Sequence, residues 1–398
     1  MNREDISRCT GCRACEQICP RRCISMRPDP DGFYYPHIDT GQCVKCGLCE
    51  QYCPIHFFIG KNEEKPSVYA AWLKDSEKLA SSSSGGAFTA LAEYVLSRGG
   101  CVFGCVFDEN MRAVQMKTES EAGLARMRGS KYVQSDTGDT FLQAKRELER
   151  GVLVLYVGTP CQIAGLKAFL HRDDPNLITV DLICHGVPSP GLFGKYVRWQ
   201  EQKTHSQILS YRFRDKSENG WSLSGEITGR RKNRIVRKRI VPPLDPYYWL
   251  FLKGDVYRES CYTCAYANSR REGDFTIGDF WGIERIRPEL PAHGGISLLM
   301  VNSAQAKAVF PEIFQSLSFV ETTFEQASAK NSQLTHPVLH STKRGALLAA
   351  ARGNDFGPVV VLWRRAYRKE AVLFRLKQLI PKTVKKSLKM FLKSRIKG

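Results

Sequence analysis

The chain has 398 residues and a formal net charge of +19, with 42% hydrophobic residues and fifteen cysteines. This length leaves room for a small module beside one or two domains that have their own cores. Because no apolar run approaches the roughly 18 residues that cross a bilayer, we expect any membrane contact to be peripheral. Most cysteines have the spacing of ligands, and the chain opens on polar residues rather than a secretory signal, which indicates a reducing cytoplasm.

The excess of basic residues lies mainly at the carboxyl end. From Arg364 onwards there are thirteen Lys or Arg and the single acid Glu370, so this segment carries +12 of the total +19. The rest of the chain is only mildly basic, and we expect no nucleic-acid partner. A cluster protein that binds nucleic acid remains an alternative, and it would require binding that persists without residues 364–398.

The first 54 residues contain the same cysteine spacing twice, as C-x2-C-x2-C-x3-C-P. This spacing is typical of a 4Fe-4S cluster, and in two-cluster ferredoxins the fourth cysteine of each run binds the other cluster. The predicted ligands of one cluster are Cys9, Cys12, Cys15 and Cys53. Those of the second cluster are Cys43, Cys46, Cys49 and Cys19. Structural zinc sites use two separated pairs of ligands, and disulfide frameworks belong to small secreted chains, so neither fits well. The leftover Cys23 is expected to pack beside the cluster.

A charged segment that ends in proline, residues 61–66, reads as a linker to a second domain. Apolar periodicity beyond it predicts strands at 68–73, 101–107, 113–116, 152–157 and 177–183. The same patterns predict helices at 87–97, 119–127, 141–150 and 162–170. The last two strands and the helix between them form a βαβ unit, so we expect this pair of strands to be parallel.

Two cysteines follow these two strands, and a third and fourth form a CxxC further along. Cys161 and Cys184 lie at the carboxyl ends of neighbouring parallel strands, the edge where open α/β sheets bind ligands. Cys161 also opens a helix, whose dipole favours a thiolate. With Cys261 and Cys264 they complete a set of four, which predicts a third 4Fe-4S cluster. Structural zinc and plain packing remain alternatives.

Two polar loops suit an anionic cofactor. Residues 81–86 combine hydroxyls, unhindered backbone N–H groups and a helix start, which together favour a pyrophosphate. Simple helix capping would need only one of these serines. Residues 129–132 add a lysine and an aromatic ring.

Two segments are strongly basic. Residues 230–239 predict a hairpin or loop that either docks an acidic partner or protects an edge strand with charge. After Pro381, apolar residues at helical spacing among lysines predict a basic amphipathic helix, which would either lie on an anionic membrane surface or pack on the body.

Several motifs in this order resemble the beta-subunit family of coenzyme F-420 hydrogenases and dehydrogenases with a ferredoxin module attached. They are the cysteine runs and residues 84–88 (SGGAF), 129–133 (GSKYV), 158–162 (GTPCQ), 181–188 (DLICHGVP) and 274–282 (DFTIGDFWG). The resemblance spans roughly residues 1–310. It implies an iron-sulfur flavoprotein with FAD, and similar proteins include bacterial relatives associated with polysaccharide biosynthesis.

The resemblance also implies roles for particular residues. The flavin-site segments contain Ser84, Gly85, Gly86, Lys131 and Thr159. The cluster-ligand segments contain Cys161, Cys184, Cys261 and Cys264. His185 is a candidate for proton relay, although orienting a neighbouring ligand is the more usual role for such a histidine.

The expected fold is α+β or α/β, with a two-cluster ferredoxin-like module, a flavin-binding α/β domain that has a partly parallel sheet, and a helical basic tail. The corresponding domain limits are 1–60, 66–138, 139–310 and 311–398. We expect an oxidoreductase that passes electrons between a ferredoxin-like donor or acceptor, 4Fe-4S clusters and FAD, and exchanges hydride with an organic substrate. That substrate would be a deazaflavin or a biosynthetic intermediate. The alternative is a non-catalytic subunit that hands electrons to a partner enzyme. Either would be cytoplasmic, with possible peripheral contact at the inner face of the membrane.

Overall fold

The computed structural model describes residues 3–56, 62 and 66–379. The N-terminal module contains α1 (Arg3–Arg8), α2 (Ala14–Ile18), β1 (Ile24–Pro28), β2 (Tyr34–Ile38) and α3 (Leu48–Gln51). Strands β1 and β2 form an antiparallel hairpin. Helices α2 and α3 each begin after a residue in the left-handed conformation, Arg13 (φ 65°) and Gly47 (φ 76°). Each of these residues directly follows the second cysteine of its run, so the two halves of the module make the same tight turn.

The remaining strands are β3 (Ser67–Leu73), β4 (Cys101–Phe107), β5 (Ala113–Thr118), β6 (Val154–Gly158), β7 (Leu177–Leu182), β8 (Gln207–Arg212), β9 (Gly225–Arg231), β10 (Arg234–Ile240), β11 (Phe275–Asp279), β12 (Ser297–Val301) and β13 (Leu317–Thr322). The remaining helices are α4 (Ser76–Ser81), α5 (Ala87–Leu96), α6 (Glu121–Met127), α7 (Thr140–Glu149), α8 (Pro160–Leu170), α9 (Pro190–Thr204), α10 (Pro246–Leu252), α11 (Ile283–Ile286), α12 (Ala304–Ile313), α13 (Phe324–Ser328), α14 (Arg344–Ala351) and α15 (Gly357–Leu379).

One mixed sheet of eight strands organises the larger domain, in the order β13-β3-β12-β11-β7-β6-β4-β5. Four adjacent strands of this sheet, β11, β7, β6 and β4, run parallel to one another. The predicted βαβ unit is confirmed, because β6 pairs in parallel with β7 after the crossover through α8. Every residue of β6 is buried, as expected for a strand that is covered on both faces. The α/β fold class and its partly parallel sheet are therefore confirmed.

Apolar side chains cover both faces of this sheet. One cluster includes Leu91 of α5 and Leu124 of α6, and the opposite cluster includes Phe141 of α7 and Ile163 of α8. Cys12 and Ala14 of the N-terminal module join the second cluster. The module therefore shares a hydrophobic core with the sheet domain.

The segment at 230–239 forms the predicted basic hairpin. Strands β9 and β10 pair across a turn at Lys232, and β10 is the edge of a separate three-stranded sheet, β10-β9-β8.

The segment 311–398, which the sequence predicts to be helical, contributes β13 to the main sheet before its helices begin. The predicted tail helix beyond Pro381 and most of the predicted linker lie outside the described residues. Within the described part of the chain, no helix combines the length and the apolar character needed to cross a membrane.

A glycine between β3 and β12 is expected to be essential for folding. A Cβ at Gly85 would overlap the carbonyl oxygen of Ala71 and the amide nitrogen of Ser297. We expect Gly85→Ala to lower the free energy of unfolding by about 3 kcal/mol or more, because two paired strands cannot move apart cheaply. The check is urea unfolding followed by circular dichroism. Gly345→Ala is the control, because a Cβ in that open part of α14 meets no atom within 4 Å; equal losses in both variants would contradict the steric argument.

Candidate iron-sulfur and cofactor site

Four cysteines that are distant in sequence border one small cavity of about 40 Å³. Cys161 lies in the first turn of α8, and Cys184 follows β7. Cys261 and Cys264 lie in and just after a short 3-10 turn, Glu259–Cys261. The structure thus brings together the whole third set that the sequence singles out.

Burial dominates the electrostatics of these four thiols. It raises the pKa of Cys161 to about 11 and that of Cys261 to about 12. It also raises the pKa of Cys184 and of Cys264. A backbone hydrogen bond at the start of α8 opposes the rise at Cys161, as a helix start would, but burial is the larger effect on its pKa. The thiolate at Cys161 stays a prediction. Thiolates in this cavity need a positive charge such as that of a bound metal.

The first N-terminal cysteine set lies beside this cavity. Cys9 and Cys53 both act electrostatically on Cys12 and Cys15, which places the four predicted ligands of one cluster together. Cys161 also acts on Cys12. The close approach depends on Gly165 of α8, since a Cβ there would come within 2.9 Å of both the Cβ and the Sγ of Cys12.

The second N-terminal set is nearer the surface. Its Cys46 is exposed, and Cys19, Cys43 and Cys49 are partly buried. Cys23 is buried, with its Sγ 3.4 Å from that of Cys19, and it also contacts Cys43. Cys23 therefore packs between two predicted ligands, as expected for a residue beside a cluster.

A larger cavity of about 430 Å³ lies at the carboxyl edge of the parallel strands. Predicted flavin-site residues that line it are Ser84, Gly86, Lys131 and Thr159. Cys184, His185, Gly186, Val187 and Thr159 line both this cavity and the cysteine cavity. The two cavities therefore share a wall, which is built from the segments that follow β6 and β7.

The two predicted polar loops lie against each other at this cavity. Ser83 Oγ accepts a hydrogen bond from the backbone N–H of Ser130 (2.8 Å) and a second from the Ser130 hydroxyl (3.1 Å). Ser84 donates its hydroxyl to the carbonyl of Ile296 (2.8 Å). Gly86 lies in the left-handed conformation at the start of α5. Gly85 serves close packing and does not line the cavity.

Two lysine side chains donate hydrogen bonds to backbone carbonyls in and beside these two loops. Lys131 donates to the carbonyls of Arg126, Met127 and Arg128, which closes the carboxyl end of α6 (2.7 to 3.2 Å). Burial lowers the pKa of Lys131 to about 8. Lys216, which sequence reasoning missed, donates to the carbonyls of Leu79, Ser84 and Gly294, and burial lowers its pKa to about 8 as well.

An ion pair and two indoles lie beside His185 at the cavity, and the sequence assigned them no role. Asp279, at the end of β11, pairs with the buried Arg214 and accepts from Trp221 Nε1 (2.6 Å). The rings of Trp221 and Trp281 are parallel, with centroids 4.9 Å apart. His185 is exposed where it faces the cavity. Desolvation by the surrounding protein lowers its pKa, although Asp279 opposes the shift. The sequence signal for Asp279 and Trp281 was their place in the segment 274–282, and Arg214 and Trp221 lie outside that segment.

Cysteine runs of the ferredoxin type, joined to an α/β domain, define an iron-sulfur electron-transfer protein of the oxidoreductase class. More specifically, the chain belongs to the coenzyme F420 hydrogenase/dehydrogenase beta subunit family. The family's N-terminal model matches residues 68–140 and its C-terminal model residues 152–326, so that the two together cover well over half of the chain. A 4Fe-4S dicluster domain model matches residues 8–56.

A solved structure of the F420-reducing [NiFe] hydrogenase complex from Methanosarcina barkeri contains a similar chain. The sequences are 17% identical, the TM-score is 0.45, and the match covers 68% of this chain and 90% of that chain. No curated protein matches this chain significantly.

The ion pair at the cavity yields a stability prediction. Arg214→Met would leave the partly buried carboxylate of Asp279 without its cation, and breaking a buried pair costs about 3–5 kcal/mol. We expect a loss of this size in the urea unfolding of the protein. Arg287→Met is the matched control, because the side chains of Arg287 and its partner Glu289 are both exposed and a surface pair contributes about 1 kcal/mol at most. Similar losses in the two variants would contradict the argument.

Proposed function

We infer that the protein is an iron-sulfur flavoprotein oxidoreductase. It binds 4Fe-4S clusters at the three cysteine sets and FAD in the large cavity, and it exchanges electrons with a ferredoxin-like partner and hydride with an organic substrate. The single observation that carries this proposal is the shared wall of the two cavities, where Cys184 and His185 lie side by side. A one-electron carrier and a hydride carrier would be in contact there.

The cysteines fit clusters better than they fit zinc. All fifteen cysteines are free thiols, and thiolates are the ligands that 4Fe-4S clusters use. Zinc holds four ligands at about 2.3 Å from one centre. In each N-terminal run three cysteines lie two residues apart and a fourth follows, which matches 4Fe-4S binding and not the two separated pairs of a structural zinc site.

The large cavity fits a flavin in size and polarity. Its volume of about 430 Å³ lies within the range of about 300–1,000 Å³ that small-molecule sites occupy. Gln115 Oε1 is buried in its wall without a hydrogen-bond partner, and such an acceptor suits an N–H of a polar ring. Gly86 at the start of the ten-residue helix α5 offers backbone N–H groups to a pyrophosphate.

The bound flavin would convert single electrons into a hydride. The chain's own residues would bind and orient the reactants. His185, whose pKa is lowered by desolvation, would orient its neighbours through hydrogen bonds. Asp279, held by Arg214 and Trp221, would fix one side of the cavity mouth.

The family name favours a coenzyme F420-type deazaflavin as the organic substrate. A biosynthetic intermediate such as a polysaccharide precursor is the second candidate. We expect the partner to be a ferredoxin-like protein in a reducing compartment. Peripheral membrane contact through the tail beyond Pro381 stays a prediction.

Elemental and flavin analysis tests the proposal. We expect the anaerobically reconstituted protein to contain about twelve irons and one FAD per chain, from three 4Fe-4S clusters. Cys261→Ser with Cys264→Ser should leave about eight irons, because it removes two ligands of one cluster. Cys101→Ala is the control, because Cys101 is buried in β4 and is not a predicted ligand. Zinc in place of the last four irons would contradict the third cluster, and protein without iron or flavin would overturn the proposal.

A turnover assay distinguishes an enzyme from a protein that only passes electrons to a partner. With an artificial one-electron dye, an enzyme would reduce or oxidise a deazaflavin without any partner protein. A protein that only passes electrons would show no turnover until its partner subunit is added.

The low pKa of Lys131 predicts a pH dependence of FAD binding. Lys131 is charged below about pH 8 and would attract the pyrophosphate, so we expect affinity to fall as the pH rises through 8 and beyond. The three N–H donors of Lys131 are already bonded to carbonyls, so its effect would be that of a nearby charge. At roughly 8–10 Å in an effective dielectric of about 20, such a charge contributes about 2 kcal/mol, or about tenfold or more in affinity. Lys131→Met should bind FAD that much more weakly at pH 7 and lose the pH dependence, whereas Lys131→Arg should keep its affinity at high pH. Equal affinities of wild type and Lys131→Met, measured by fluorescence titration, would exclude this role.

A further inference from the structure

A buried arginine stands between the N-terminal module and the third cysteine set. Arg258 is 1% exposed, lies three residues before Cys261, and lines the cysteine cavity. Its Nε donates to the carbonyl of Cys9 (2.7 Å), and its Nη2 donates to the carbonyl of Tyr34 (3.1 Å). One guanidinium therefore contacts the backbone of a predicted ligand of one cluster while it faces the site of another.

The positive charge of Arg258 has no carboxylate partner among the described residues. Its third hydrogen bond goes to the neutral Gln134 Oε1 (3.2 Å), and the ring of Tyr35 covers its plane at 4.1 Å. The adjacent Glu259 pairs with Arg344 instead. Burying a charge without an opposite charge is costly, so such a group needs a compensating anion.

A second buried arginine at the same cavity shows the contrast. Arg271 also lines the cysteine cavity, but it pairs with the buried carboxylate of Asp181 at 3.0 Å. The charge of Arg271 is thus balanced inside the protein. Arg258 has only neutral partners, although the two side chains are equally buried.

The Arg258 side chain fits against the N-terminal module because residue 11 is a glycine. Gly11 lies between Thr10 and Cys12 at φ 70°, and a Cβ there would come 2.7 Å from Gln134 Nε2 and 3.1 Å from Arg258 Nη1. Arg258 also lines the same cavity as Cys161 and Cys261, so its charge faces the third cysteine set.

We propose that Arg258 is a positioning residue whose fixed charge raises the reduction potentials of two clusters. One is the cluster bound by Cys9, Cys12, Cys15 and Cys53. The other is the cluster bound by Cys161, Cys184, Cys261 and Cys264. A 4Fe-4S cluster held by four thiolates is anionic, and each added electron makes it more so. Arg258 therefore stabilises the reduced form of both neighbours, and the effect is large where water is excluded. In the transfer itself one cluster loses an electron and the other gains it, and no bond or proton moves.

This inference rests on the proposed clusters, and redox titration followed by electron paramagnetic resonance tests it. Two variants neutralise the charge in different ways. Arg258→Gln removes it, and Gln134→Glu keeps the arginine but places a carboxylate beside Nη1. We expect both to shift the potentials of two clusters to more negative values, whereas Arg258→Lys stays close to wild type. Arg172→Met is the control, because it removes one charge at the surface, where Arg172 pairs with Asp174.

The possible outcomes distinguish the role of Arg258 from the proposed function of the protein. Iron-loaded neutral variants that titrate like wild type would overturn the role of Arg258 and leave the clusters in place. Wild-type protein without iron would overturn the proposed function itself. If the neutral variants load too little iron to titrate, full loading of Arg258→Lys would still show a dependence on charge. Equal loss of iron in Arg258→Lys would show that only the shape of the guanidinium matters, and would overturn the proposal.

Discussion

The approach of the N-terminal module to helix α8 sets the geometry on which the rest of the site depends. Cys12 can pack against α8 only because residue 165 is a glycine. The contact joins Cys12 to the hydrophobic cluster under the sheet, where it lies with Phe141 and Ile163. Because α8 also carries Cys161 in its first turn, one packing contact places the first cysteine set beside the third.

The carboxyl edge of the sheet supplies the other half of the arrangement. Asp181 near the end of β7 accepts hydrogen bonds from the N–H groups of Glu272 and Gly273, from the hydroxyl of Thr276 and from Arg271. This buried carboxylate is thus fully partnered, which offsets its desolvation. The network ties the segment that follows the CxxC to the strand that precedes Cys184. It therefore holds the four thiols of the third set around one cavity.

Charge is distributed unevenly around the two cavities. Asp279 and Arg214 neutralise each other at the mouth of the large cavity, and Asp181 and Arg271 do so under the cysteine cavity. Arg258 alone of these three arginines has only neutral partners in the described structure. Arg258 therefore places a positive charge without a carboxylate partner at the point where two sets of thiols meet, which suits anionic cofactors on both sides.

The amino-acid sequence by itself determined the cysteine runs, the βαβ unit with its two following cysteines, and the basic hairpin, because each is a local pattern of spacing or periodicity. It also sufficed to identify the family. Only the tertiary structure decided which side chains meet across the chain: the contact of Cys12 with Gly165, the pairing of Asp279 with Arg214, and the position of Arg258 beside Cys9. Arg258 and Cys9 are 249 residues apart, and no local pattern carries such a separation. The burial that raises the pKa of Cys161 is likewise a property of the packed molecule and not of a helix start.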